Sequence, residues 1–273
     1  LRISHIVRGD DHLTNTPRQI LLFQALGAEL PRFAHLPLIL GNDRAPLSKR
    51  HGATAVRAYK EQGYLPEALV NFLARLGWAS GDQEIFSHEE LIEKFRLDDV
   101  GKSAGVFNAE KLQWLNAHYL KERSALQLAH EAKPYIAQQH YSVPGDDEWL
   151  AKAVATLQPR AKTIVELVTL ARIYLSDDIT IDPKAATKFL TPENLPTLGK
   201  LRIRLAETPW SEHELEKTFT SFMEEEQVKL GQIAQPVRVA LTGGTASPGI
   251  FEMLTVLGKE RTLSRIDRVL VSA

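Results

Sequence analysis

The run ISHIVRGDDHLTNTPRQILLFQALGAELPRFAHLPLIL, residues 3–40, decides the fold class. Ile3 to Val7 reads as a short strand. Thr16, Pro17 and Gln19 read as a helix N-cap, a first-turn proline and a capping-box partner, with Gly27 stopping the helix after Leu26. Leu36 to Leu40 reads as a second strand. Strand, helix, strand suits the tail of a parallel α/β sheet whose earlier strands lie outside this sequence. Two strands alone are marginal, so this unit is expected to be a remnant of a Rossmann-type sheet rather than a free-standing sheet.

Outward from that run the pattern changes. Gly41-Asn42-Asp43 is a turn signal, and from Ala53 onward apolar residues recur at helical spacing, with stops at Gly63 and Gly77 and a fresh start at Pro66. Ser87 with Glu90 and Ser211 with Glu214 read as capping boxes, and Asn108, Asp182-Pro183 and Ser247-Pro248 as helix starts. About a dozen helices are expected. The fold class is therefore mostly α. Boundaries are placed at 1–52, 53–123 and 124–273, because the aromatic segment KLQWLNAHYL gives way near Lys121 to Ser124 to an alternating charged pattern. A further split is placed near 192–209, where prolines interrupt the periodicity. Trp78, Trp114, Trp149 and Trp210 lie in apolar stretches and are read as core.

Composition narrows the function. With 44% hydrophobic and 25% charged residues in 273, the chain is an ordinary globular protein large enough for two or more cores. No apolar run approaches the roughly 20 residues that cross a bilayer, so a soluble, cytoplasmic protein without membrane contact is expected. The opening LRISHIVRGDD has neither Met nor the pattern of a secretion signal and reads as a chain cut in mid-domain. Zero Cys excludes disulfides and thiolate metal sites, and nine scattered His lack paired ligand spacing, so neither zinc nor any other protein-bound metal is expected. A formal charge of −1 cannot hold nucleic acid by bulk attraction. Any RNA contact must come from local basic patches.

Three groups of residues have the chemistry to form sites. RAPLSKRHG, residues 44–52, presents Arg44, Ser48, Lys49 and Arg50 on a turn-forming stretch between a strand and a helix, which suits polyphosphate. Arg8 stands at the carboxyl end of the first strand, where ligands of open α/β sheets bind, and its guanidinium can grip a carboxylate with two parallel hydrogen bonds. An ion pair with Asp10 or Asp11 is the alternative. Basic residues cluster at Arg160 and Lys162, at Lys200, Arg202 and Arg204, and at Arg261, Arg265 and Arg268, the last three sharing one helix face.

LSKRHG resembles the second signature of class I aminoacyl-tRNA synthetases, written KMSKS and often KLSKR in the glutamyl enzymes. IVRGDDHLTNTPRQILL, RFAHLPLIL, GYLPEALVNFLARLGW, KLQWLN and VRVALTGGTASPGIFEML continue the match in order, so the sequence is similar to the bacterial-type glutamyl-tRNA synthetases over essentially its whole length. The resemblance implies a glutamate–tRNA ligase that forms glutamyl-adenylate from glutamate and ATP with Mg²⁺ and passes the acyl group to the tRNA for glutamate, working as a monomer. It implies that Lys49 and Ser48 are catalytic and that Arg8 binds the substrate glutamate. It also places ATP against Lys49, Arg50, His35, Leu36 and Leu38. Pro46 departs from the pattern, standing where the family usually has Lys. The resemblance further implies a stem-contact role for 53–123 and an all-helical anticodon-binding region at 124–273, with Arg160, Arg261 and Arg265 facing tRNA. Glutaminyl relatives read the anticodon with β-barrels, and the helical reading of 124–273 stands against them. The phosphate-binding signature of the family, a His-Ile-Gly-His-like helix start, is not found, so the chain is expected to lack the N-terminal ATP-binding half and to be inactive alone. The alternative is a non-catalytic tRNA-binding or interaction module.

Overall fold

A computed structural model describes residues 3–48, 50 and 55–272. The chain divides into two compact units, Leu1–Tyr119 and Leu120–Ala273. It is mostly α-helical, with a two-stranded parallel sheet near the N-terminus.

In the first unit, β1 (His5–Gly9) pairs in parallel with β2 (Arg32–Leu36), and α1 (Thr16–Ala25) crosses between them. Both strands are displaced from their expected positions. The apolar run at Leu36 to Leu40 suggested the second strand, but Pro37 has no N–H to give to a ladder, and pairing ends at Leu36. Leu40 instead makes isolated bridges, antiparallel to Pro46 and parallel to Val106. The cap of α1 also differs. Asn15 is the N-cap residue and gives no side-chain cap, Thr16 is the first helical residue, and its hydroxyl is turned to other partners. Gln19 Oε1 is left buried without a hydrogen bond.

The helices of this unit after β2 are α2 (Val56–Glu61), α3 (Pro66–Gly77), α4 (His88–Lys94) and α5 (Ala109–Glu122), the last running past the unit's boundary. Ser87 and Glu90 form the expected reciprocal capping box, and Asn108 Oδ1 accepts from Lys111 N at 2.9 Å. Trp78, Phe86 and Leu91 form a core against Ala74 and Val100. Two fully buried asparagines pin the chain around it. Asn71 donates to Glu84 O at 2.9 Å and accepts from Phe86 N at 2.7 Å, while Asn116 accepts from Leu65 N at 2.7 Å at the start of α3. Trp114 is the exception among the tryptophans. It is 52% exposed, because Leu112, Leu115, Asn116 and Tyr119 take the buried stripe of α5 and position 114 falls off it.

The second unit comprises α6 (Ala125–Gln138), α7 (Asp147–Leu157), α8 (Ile164–Leu175), α9 (Pro183–Phe189), α10 (Leu195–Glu207), α11 (Glu212–Glu226), α12 (Leu230–Thr242), α13 (Ile250–Leu257) and α14 (Lys259–Ser272). Among the described residues no strand follows β2. Helices α6, α7 and α8 pack together, α10 packs on α11, α12 and α14, and α13 bridges α7, α11 and α14. Starts are capped by Ser124, Asp146, Thr163, Asp182 and Ser211. Ser247 does not cap, since α13 begins after Gly249. The prolines near 192–209 mark helix ends: Pro196 lies in the first turn of α10 and Pro209 just beyond its end. Trp149 and Trp210 are half-buried and donate their indole N–H to Val256 O at 3.0 Å and Leu254 O at 2.9 Å.

Candidate functional site

The register of the sheet brings two of the expected site residues together. Arg8 and His35 are partners across β1 and β2, and both side chains are half-buried. Thr16, at the start of α1, completes the cluster. Arg8 Nη2 donates to Thr16 Oγ1 at 2.8 Å, Arg8 Nε donates to His35 Nε2 at 3.4 Å, and Thr16 Oγ1 lies 3.0 Å from His35 Nε2. The guanidinium also lies 5.7 Å from the Phe33 ring centroid, within cation–π range. Asp10 and Asp11 do not hold Arg8, and Asp11 pairs with His12 at 3.6 Å. A guanidinium has five N–H groups. With Nε and one Nη2 hydrogen engaged, the Nη1 and Nη2 edge stays open for a bidentate carboxylate. Thr16 was read from the sequence as a cap, and no local signal distinguishes that use of a threonine before proline from this one.

The basic loop begins from a tied base. Leu47 N donates to Ile39 O at 2.8 Å and Gly41 N to Ala45 O at 2.8 Å, with Arg44 in the left-handed conformation at φ 60°. Pro46 sits inside this pairing, bridged to Leu40. Its missing N–H removes nothing there, because Leu47 supplies the donor. Ser48 is half-buried, and Arg50 is exposed and pairs with Asp43 at 3.5 Å. Lys49 lies outside the described residues. Leu36 lines an apolar cavity of about 220 Å³ with Ile39, Leu73, Trp78 and Phe95, and Leu38 is 37% exposed.

In the second unit the expected arginines separate. Arg265 is 3% exposed and donates to Ile173 O at 2.8 Å, Ser176 O at 2.7 Å and Leu241 O at 2.6 Å, closing the C-terminal ends of α8 and α12. Arg261 donates to Tyr174 O at 2.5 Å and pairs with Asp177 at 2.7 Å, and Arg268 donates to Asp177 O at 2.7 Å. The face of α14 expected to turn Arg261 and Arg265 to tRNA lies against the open carbonyls of α8, with Arg265 buried there and Arg261 half-buried. Lys200, Arg202 and Arg204 pair with Glu226, Asp267 and Glu225. Arg160 remains exposed. It lies close enough to Arg238 of α12 that, after burial, it is the second cause holding the Arg238 guanidinium below the ordinary arginine range. Arg238 Nε donates to Ser247 Oγ at 2.6 Å, fixing the loop after α12. Arg238 lies within the VRVALTGGTASPGIFEML segment but outside the basic clusters, so charge spacing does not single it out.

The family model described as "Anticodon binding domain" matches residues 127–270, more than half of the chain. The chain belongs to the anticodon-binding domain family. Ahead of this anticodon-binding region, the catalytic-domain model of the class I tRNA synthetases (E and Q) matches residues 1–114. That match corrects the expectation that the catalytic, ATP-binding region is absent. The expectation rested on one unseen phosphate signature, whereas the strand–helix–strand unit and the helices after it carry the catalytic-domain pattern themselves. A glutamate–tRNA ligase of Syntrophobacter fumaroxidans is 54% identical over 99% of this chain and 58% of its own length. Another, of Thermodesulfovibrio yellowstonii, is 49% identical over 98% of this chain and 58% of its own. The crystal structure of a glutamate tRNA ligase from Elizabethkingia meningosepticum in complex with its amino acid superposes with a TM-score of 0.85 at 29% identity, covering 99% of this chain and 57% of that one. The chain thus spans about 58% of the length of the curated relatives it matches.

Proposed function

We propose that the protein serves as a glutamate–tRNA ligase, activating glutamate with ATP and Mg²⁺ and delivering it to the tRNA for glutamate. The observation that carries this reading is Arg8. It stands at the carboxyl end of a parallel strand with the Nη1 and Nη2 edge of its guanidinium open, inside a segment matching a class I catalytic domain. Arg8 takes a carboxylate of glutamate. The backbone at His35, Leu36 and Leu38 lies along the adenine, and Ser48, Lys49 and Arg50 meet the ATP phosphates, with Lys49 balancing the charge that develops as pyrophosphate leaves. Magnesium accompanies the ATP as part of the substrate. No group of three or more His, Asp or Glu able to hold a metal ion occurs among the described residues.

Residues 1–52 are assigned to catalysis, 53–123 to the acceptor-stem side of the tRNA, and 124–273 to the anticodon, with a subdivision near 192–209. The absence of strands from the second unit among the described residues favours a glutamyl over a glutaminyl enzyme. Arg160 and Arg238 are the guanidiniums assigned to the RNA. The protein acts as a monomer in the cytoplasm. Among the described residues no helix is long and apolar enough to cross a membrane.

The test pairs tRNA titration with glutamate-dependent ATP–pyrophosphate exchange. Tighter binding of the tRNA for glutamate than of the same tRNA with a changed anticodon is expected, and equal affinities overturn the reading. Lys49→Ala is expected to slow exchange on the order of 10²–10³-fold while leaving tRNA affinity unchanged. Anticodon-dependent binding without exchange activity in the wild type would leave a non-catalytic tRNA-binding module.

A further inference from the structure

Arg8 is held by Thr16, a residue whose type and place in the sequence suggest only a helix start. Thr16 is 8% exposed and its hydroxyl gives no cap to α1. Its oxygen lies within hydrogen-bond distance of three groups from three segments: Arg8 Nη2 on β1 at 2.8 Å, His35 Nε2 on β2 at 3.0 Å and the His12 carbonyl at 3.3 Å. Arginine can only donate, so the His35 Nε2 that Arg8 Nε approaches acts as acceptor, which puts the ring proton on Nδ1. An arginine side chain left to itself samples many rotamers, and fixing one of them is what bidentate recognition requires.

We propose that Thr16 is a positioning residue for carboxylate recognition. Its hydroxyl holds the Nη2 of Arg8 while His35 faces Nε, so that the outer Nη1 and Nη2 edge is presented to the side-chain or main-chain carboxylate of an acidic amino acid. The proposal rests on the reading of Arg8 as the glutamate contact. It assigns Thr16 no contact with substrate, and it predicts that the hydroxyl, rather than the methyl or the bulk of the side chain, matters. Thr16→Val keeps the shape and removes the hydroxyl, whereas Thr16→Ser keeps the hydroxyl.

The experiment is calorimetric titration of L-glutamate, with L-glutamine as control, into the wild-type chain and both variants, alongside ATP titration and thermal unfolding of each. A lost hydrogen bond to a charged group corresponds to about a tenfold change in affinity. The expected result is glutamate binding about tenfold weaker in Thr16→Val and restored in Thr16→Ser, with ATP affinity unchanged in both. ¹⁵N spectra of the His35 ring provide a signature independent of ligand: Thr16→Val should shift the Nε2 resonance and Thr16→Ser should not. Equal glutamate affinity in wild type and Thr16→Val overturns the positioning role, as does equal weakening by Ser and Val. Failure of the wild type to bind glutamate overturns the reading of Arg8 itself, and the role of Thr16 with it.

Discussion

Replacing Arg265 by Met tests whether a buried arginine can be structural in a region where a sequence reader expects RNA contacts. Methionine retains the apolar stem and removes the guanidinium. Two carbonyls then lose their donor, that of Ile173 near the end of α8 and that of Leu241 at the end of α12, while Ser176 O keeps Arg261 Nη2 at 3.2 Å. A buried acceptor stranded in this way costs about 1–3 kcal/mol, so the two together cost about 4 kcal/mol. Against this stands the relief of a buried charge. Burial first, and the neighbouring Arg261 second, push the Arg265 guanidinium down to about 10, below the ordinary arginine range. Removing that penalty offsets part of the loss. The net expectation is a loss of about 2 kcal/mol, or about 4–8 °C in Tm for a unit of this size. Urea unfolding of the whole chain followed by circular dichroism measures it, with Arg202→Met as the control. Arg202 makes a two-bond ion pair with Asp267 at 2.7 Å on a partly exposed surface, and such pairs contribute about 0–1 kcal/mol. A loss below about 1 kcal/mol in Arg265→Met, or one no larger than the control's, would refute the capping argument. Arg265→Lys should recover at most part of the loss, since one ammonium cannot span two helix ends.

Three further outcomes are expected. Asn71→Ala, which strands Glu84 O and Phe86 N, should cost about 2–4 kcal/mol in urea unfolding, whereas Trp114→Ala, on the exposed face of α5, should cost less than about 1 kcal/mol. Gly243→Ala should destabilise by at least about 2 kcal/mol, because φ is 79° there and a Cβ would run into Thr180 O; a neutral result in thermal melts would contradict this. Hydrogen bonds from Lys111 first and Arg75 second hold Glu84 below the ordinary carboxylate value of 4.5, so the folded chain binds the proton more weakly than the unfolded one. That contribution is fully present above pH 4.5 and is lost as pH falls through the lowered value, so Glu84→Gln should flatten the acid side of the stability curve, and an unchanged slope below pH 4.5 would count against it.

The three basic clusters of the second unit looked alike in sequence and differ in the fold. Arg261, Arg265 and Arg268 recur at helical spacing and share a face, but periodicity states only that side chains point the same way, not what lies opposite. What lies opposite is the end of α8, whose carbonyls lack partners along their own helix. Trp114 shows the same limit from the other side. An apolar residue in an apolar segment was read as core, yet the stripe through Leu112, Leu115 and Tyr119 left it at the surface. The second strand was misplaced by four residues because hydrophobicity outweighed the missing N–H of Pro37.

By itself the sequence determined what local chemistry controls. Helix starts at Ser87, Asp182 and Ser211, the helical character read from Ala53 onward, and the family motifs all depend on residues within a few positions of one another. Tertiary structure alone decided which side chains meet across long separations. Arg8 and His35 become partners because a parallel register sets them side by side, and Thr16 joins them because α1 begins just behind that register. A hydrogen bond between residues far apart leaves no periodic trace along the chain, so the donors that a site depends on emerge only when the backbone brings them within about 3 Å.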